Sequence, residues 1–508
     1  VNTGSAPIGG DAARELIEMM LGQHEGGIRS TLGGYRADSA VMTWLEVLRW
    51  VDEFLNVVWF GVARGSDREW LKACPLDERM ILDQPLMERI RHIVERRHDG
   101  AVAARFTRMA IQLAETNRVF QERDLKPAGF PNGIDTIETG ERYLQSRRRH
   151  LVSLLYAMPN ACTGNTPLNP VLAFQSMACL AEHCCGSITG LHQKRLLMEV
   201  YPDFTMTETP AGFLGSHQFE ELERNFLEAE RVSIVGMNEL RPDLVGTFRT
   251  ETCPVGPVFS AAELRNNVRA LGAAYSAYGE DETFSAMSLL IIALSRHCED
   301  DYFIRIPRTR LESILANLAV PSVEKAMQWL IAEGGSYAEQ TNRHHPFVEI
   351  NGMLHGNVVL LSRFLNAFKN DHLASRRRFV IHSGFIFEEM VKSELEAMGF
   401  EVKPIKRVSR REFDVVAIRG DVIFNLQCKN NALDLSQIEA KPRLVASANK
   451  RLVAYYRRAI RKERARQGLL QAALGLTKIR HLVISRFPVI TTDPAIIPFN
   501  ALNRLASL

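Results

Sequence analysis

Residues Ser383–Asn431 read SGFIFEEMVKSELEAMGFEVKPIKRVSRREFDVVAIRGDVIFNLQCKNN, and this stretch decides the fold of the C-terminal part of the chain. Phe387, Met390, Val391, Leu395 and Met398 recur at helical spacing, which predicts a helix over Phe379–Met398 with one apolar face. Gly399 follows in the position of a glycine that ends a helix. Phe400–Lys403 is a short strand closed by Pro404, which has no N–H to offer a ladder. Glu412–Ile418 and Val422–Lys429 are β-rich runs around the turn Arg419-Gly420-Asp421, a hairpin pattern. Alternation puts Val422, Phe424, Leu426 and Cys428 on one apolar face of the second run. Ile423, Asn425, Gln427 and Lys429 share the other, which is expected to be open to solvent. Asp414, at the start of the paired strand, reaches the same region, and Glu388 lies partway along the helix.

Phosphodiester hydrolysis calls for these residue types. A hard divalent cation screens the phosphate and lowers the pKa of the attacking water, and carboxylate and carbonyl oxygens suit Mg²⁺ or Mn²⁺. An ammonium nearby orients the nucleophile or stabilises charge building on phosphorus. Asp414 offers the carboxylate, Gln427 a neutral oxygen and Lys429 the cation, while Glu388 holds a metal-bound water or a second ion. The expected catalytic set is therefore Glu388, Asp414, Gln427 and Lys429. The expected metal ligands are Asp414, Gln427, the backbone carbonyl of Cys428 and Glu388.

Gly384-x-x-Phe387-Glu388, Gly399-Phe400-x-Val402, Asp414-Val-Val-Ala and Gln427-Cys428-Lys429, in that order, resemble the Mrr-like branch of the PD-(D/E)XK nuclease superfamily. The resemblance covers about the last 130 residues. It implies a restriction-endonuclease-like α/β fold and Mg²⁺-dependent DNA cleavage of the restriction or genome-defence type. It also implies that Asp414 is the main metal ligand and that Glu388 sits on the first helix of the core. Gln427 stands where glutamate is more usual, leaving one negative charge fewer for a metal. The alternative is a catalytically silent DNA-binding or scaffold protein that retains the fold, and the motif leaves RNA open as a substrate.

Beyond the motif, Ala448–Gln467 carries eight bases against one acid, Glu463. Lys450, Arg451, Tyr455, Arg457, Arg458, Arg461 and Lys462 are the expected nucleic-acid contacts, since a helix this basic neutralises several phosphates. Arg480–Ile490 predicts a further strand. The charge split agrees. Residues 376–508 carry 25 Lys and Arg against 12 Asp and Glu, while the rest of the chain carries 37 against 47. The polyanion-binding surface is thus expected to be local.

A chain of 508 residues exceeds one hydrophobic core. Three segments are expected: a largely helical region over 1–280, helices plus a hairpin over 281–375, and the nuclease-like domain over 376–508. In Val41–Val62 the charges Glu46, Arg49, Asp52 and Glu53 leave a stripe of Trp44, Leu48, Val51, Leu55, Val58 and Trp59, suited to a core or a subunit interface and so to a homo-oligomer. Asp135 or Thr136 is expected to cap a following helix, whose cluster Arg147–His150 is read as a solvated face. Arg231–Gly236 predicts a short strand. Arg308–Leu318, Ser322–Ala332 and the Asn351-Gly352 hairpin at 346–361 resemble a winged helix-turn-helix. The segment is not notably basic, which favours a structural or dimerising wing over one that docks DNA.

Cys179, His183, Cys184 and Cys185 lack a second ligand pair at zinc spacing, and buried thiols are expected. No phosphate-binding loop is present, so no nucleotide cofactor is expected. The first residues lack a secretory signal pattern. The run Leu151–Ala181 is broken by Pro159, Pro167 and Pro170, so no membrane span is expected and the expected location is cytoplasmic.

Overall fold

The computed structural model describes residues 6–58, 65–209, 212–219, 249–276, 281–318, 320, 322–341, 343–373, 376–431, 438–439 and 441–507. The chain divides into two compact units. One comprises residues 19–190 and 227–373, the other residues 1–18, 191–226 and 374–508. The strand expected at Arg231–Gly236 lies outside the described residues.

The first unit is mainly helical. Its principal helices are α1 (Ala37–Asn56), α2 (Gly100–Glu122), α3 (Ile137–Ala161) and α4 (Pro170–Leu180). Thr136 starts α3 through a capping box with Thr139, satisfying backbone donors that the helix itself leaves open. Trp44, Leu48, Val51 and Leu55 on α1 are buried as the apolar stripe requires. The charges beside them are buried too. Arg148 pairs with Asp52 at 2.7 Å, and the Tyr302 hydroxyl donates to the other Asp52 oxygen at 2.5 Å. Glu53 accepts from Arg49 at 3.0 Å and from Arg105 at 2.6 Å. Arg147 is tied to Glu182 at 2.6 Å, and Arg148, Arg149 and His150 are all buried. The cluster Arg147–His150 is therefore not a solvated face. Arg147 and Arg148 are neutralised inside the unit by Glu182 and Asp52, as buried charge persists only when paired and hydrogen-bonded.

Continuing this unit, α5 (Glu282–Leu294) leads to β1 (Cys298–Glu299) and β2 (Phe303–Pro307). Two short helices follow, α6 (Arg308–Asn317) and α7 (Val323–Leu330), the latter capped by the Ser322 side chain. The hairpin of β3 (Phe347–Ile350) and β4 (Met353–Asn357) turns at Asn351 and Gly352, with φ of 51° and 76°, the left-handed region a two-residue turn needs. The sheet order is β1-β2-β4-β3. α8 (Val358–Leu373) closes the unit.

The second unit holds the opening stretch. α9 (Arg377–Ala397) ends at Gly399, whose φ is +81°. β5 (Glu401–Lys403), β6 (Val415–Arg419) and β7 (Val422–Lys429) follow, then α10 (Pro442–Arg464), α11 (Gln467–Leu474), β8 (Lys478–Ser485) and β9 (Ile496–Pro498). The five strands form one mixed sheet in the order β9-β8-β7-β6-β5. β6 pairs antiparallel with β5 and with β7, while β7, β8 and β9 run parallel. One face is covered by α9 through Phe387, Val391 and Leu395 against Val415, Phe424, Leu426 and Ile484. Each such burial contributes about 1.5–3 kcal/mol.

The other face is not open to solvent as the alternation alone suggested. α10 covers it through Val453, Tyr456 and Ile460, and α11 through Leu470 over Val416 and Ile423. Asn425 on that face is fully buried, donating from Nδ2 to Glu463 at 2.9 Å with His481 Nδ1 at 3.1 Å.

All eight cysteines are free, and Cys184 and Cys185 are buried in a π-helical turn, Ala181–Cys185. One helical run among the described residues, Pro170–Val200, is long and apolar enough to cross a membrane by composition, and half of it is buried in the protein.

Candidate active site

The ends of β6 and β7 bring the expected residues together because the hairpin register fixes them. Val415 pairs with Leu426, so Asp414, one residue before β6, lies beside the last residues of β7. Asp414 Oδ2 accepts the Cys428 amide N–H at 3.0 Å and lies 3.9 Å from Lys429 Nζ. Lys429 Nζ donates to Gln427 Oε1 at 3.2 Å. Those two side chains share one strand face, as period-two geometry requires. Gln427 is nevertheless 8% exposed, since α10 roofs the face.

Glu388 joins this group from α9. Burial, followed by the charge of Asp414, raises its carboxyl to about 7, against the opposing pull of Lys392 and Lys406. Burial also raises Asp414, with Lys429 and the Cys428 N–H opposing it. The Cys428 thiol is pushed well above its ordinary value by burial and then by Asp414 and Glu388. Two carboxylates with raised proton affinity in a partly desolvated place favour a bound cation or a shared proton.

The donor set suits a hard cation in part. Glu388 and Asp414 supply carboxylate oxygens, and Gln427 an amide oxygen already engaged by Lys429. Among the described residues no group of three or more His, Cys, Asp or Glu side chains is arranged to hold a metal ion.

Of the expected nucleic-acid contacts, Tyr455 reaches the site: Lys429 Nζ lies 6.0 Å from its ring centroid. Lys450, Arg451, Arg458, Arg461 and Lys462 are exposed along α10. Arg457 is held by Asp493 at 2.9 Å. Glu463, the single acid of the run, turns inward to Asn425 and Arg466.

Three further polar residues border the site. Asn430 donates to Ser383 Oγ on α9 at 2.6 Å and accepts from Arg486 at 3.2 Å, and the Arg486 backbone N–H donates to the Lys429 carbonyl at 2.9 Å. This chain of bonds ties α9, β7 and β8 together at the end of the sheet that carries the candidate site. Ser383 and Asn430 fall within the opening stretch, but their contact depends on how α9 lies across β7, which helical periodicity does not give. Arg486 enters through the parallel pairing of β7 with β8, in which Lys429 faces Ser485. Lys392 was legible, standing four residues beyond Glu388 on the same helix flank.

A scan against protein-family models, a search of curated proteins and a search of solved structures each found no match.

Proposed function

We propose that the chain is a divalent-metal-dependent nuclease acting on DNA, of the restriction or genome-defence type. The observation that supports it is the meeting of Glu388, Asp414, Gln427 and Lys429 at one end of β6 and β7. The C-terminal region is read as restriction-endonuclease-like, with Glu388 on the helix before the strands and the remaining three on a strand pair. That is the placement implied by the resemblance to Mrr-like nucleases.

In this reading Asp414, Glu388 and Gln427 hold Mg²⁺ or Mn²⁺, which when bound screens the phosphate and acidifies water. Lys429, fixed by Gln427 and near Asp414, offers its remaining N–H donors to a phosphate oxygen. Without the cation the Glu388 carboxyl holds its proton to about 7, so taking up the metal at Glu388 would release that proton. The exposed bases of α10 supply phosphate neutralisation.

Residues 281–375 are read as winged-helix-like. The exposed positions of α7 are Glu324, Lys325 and Gln328, with no net positive charge for phosphate, so this part is assigned a structural or dimerising role.

The test is cleavage of plasmid and single-stranded DNA in Mg²⁺ or Mn²⁺ by the wild type, Asp414→Ala and Lys429→Ala. Each substitution is expected to lower the rate by about 100-fold or more. Equal nicking by all three overturns the assignment.

One observation favours a second reading, a silent DNA-binding protein. Gln427 brings no charge, and its oxygen is already engaged by Lys429. That reading predicts no heat of metal binding on calorimetric titration and nucleic-acid affinity indifferent to Mg²⁺.

A further inference from the structure

Large aromatic side chains are costly to leave in water, and among the described residues few stand exposed. Among the described residues, the only Phe, Tyr or Trp side chains that stand exposed are Phe385, at 56%, and Tyr455, at 43%. Both border the candidate active site. Phe385 stands three residues before Glu388 on α9, so the two side chains are neighbours on the helix surface. Tyr455 lies on α10 with the Lys429 ammonium 6.0 Å from its ring centroid.

The two helices cover opposite faces of the sheet, α9 over Phe424 and Leu426 and α10 over Val483. The two aromatics therefore stand on helices that flank the strand ends from opposite faces of the sheet. Each is part of a stripe at helical spacing. On α9 the stripe is Ile381, Phe385, Glu388 and Lys392. On α10 it is Arg451, Tyr455, Arg458 and Lys462, all four of them exposed. On α10 the Tyr455 ring is set between cations, the pattern that binds unpaired nucleic acid, with the cations following the backbone and the ring stacking on a base, while on α9 Phe385 offers a second ring beside Glu388. A base within a duplex has its faces covered by its neighbours and cannot reach such a ring.

We infer that the site takes single-stranded or locally unpaired polynucleotide, with bases stacked on Phe385 and Tyr455 on either side of the reacting phosphate. This deepens the nuclease reading and rests on it for the identity of the reacting centre.

The test uses the full chain in EDTA and fluorescence anisotropy of three labelled ligands of equal length: oligothymidylate, an abasic strand and a duplex. Oligothymidylate should bind at least about tenfold tighter than the other two, the effect of one stacked base. Phe385→Ala and Tyr455→Ala should each weaken it by about 5- to 100-fold while leaving abasic and duplex affinities unchanged. Phe385→Tyr and Tyr455→Phe should retain it.

Equal affinity for the abasic strand, preference for the duplex, or alanine variants that bind oligothymidylate like wild type would each overturn the inference. A change in particle mass for Phe385→Ala with unchanged oligothymidylate binding would instead assign the exposed ring to self-association, and also overturns it. Because no metal is present in this assay, a failure of the cleavage reading appears separately, as wild type that cuts no nucleic acid in Mg²⁺ or Mn²⁺.

Discussion

Glu388 carries a stability cost that pH exposes. Folded, its carboxyl holds a proton to about pH 7; unfolded, it releases it near the ordinary value of 4.5. Between those values the folded state binds more protons, so stability falls as pH rises through the window. Glu388→Gln removes the titration. In metal-free protein it should match wild type near pH 4 and be more stable by about 1–3 kcal/mol near pH 8, discounted for partial exposure. Urea unfolding at the two pH values checks this, and an equal difference at both contradicts it. At this scale the sequence was informative for Asp414, Gln427 and Lys429, because hairpin register and strand period are local. It misjudged Gln427's surroundings. The bases of α10 dominate its sequence pattern and mask the apolar positions Val453, Tyr456 and Ile460, which roof the strand. Arg486 was not legible, since β7 and β8 are joined across about fifty residues and only their pairing brings it to Lys429.

At the scale of elements, α9 has to end where it does for β5 to enter the sheet. Gly399 makes that reversal at a φ of +81°, and a Cβ there would meet nothing within 4 Å. Gly399→Ala is therefore a test of backbone strain without steric clash. It should cost about 1 kcal/mol, read as a lower thermal midpoint of the full chain. An unchanged midpoint would mean that the reversal is set by packing. This stop, the Thr136 cap, the Ser322 cap and the Asn351-Gly352 turn were all readable, because each is fixed by one to four adjacent residues. The burial of Arg148 was not. It depends on Asp52 and Tyr302, residues far away in sequence that no local pattern links to it.

At the scale of the molecule, the basic surplus of residues 376–508 predicts how binding responds to salt. Affinity for single-stranded nucleic acid should fall linearly on logarithmic axes, and each phosphate that is no longer neutralised should flatten the slope by about 0.7. Arg458→Ala combined with Arg461→Ala should flatten it by about twice that, measured by anisotropy across a salt series. An unchanged slope would remove α10 from the binding surface.

The division of the chain has a consequence for synthesis. The unit with the candidate site is assembled from three separated segments, the last beginning at residue 374. Within it β7, with Gln427 and Lys429, is completed as the central strand only when β8 arrives at Lys478–Ser485. On a ribosome working from the N-terminus, the end of the sheet that carries the candidate site therefore stays unformed until Lys478–Ser485 has emerged. A chain abandoned before Lys478 would lack the partner strand that encloses Gln427 and Lys429.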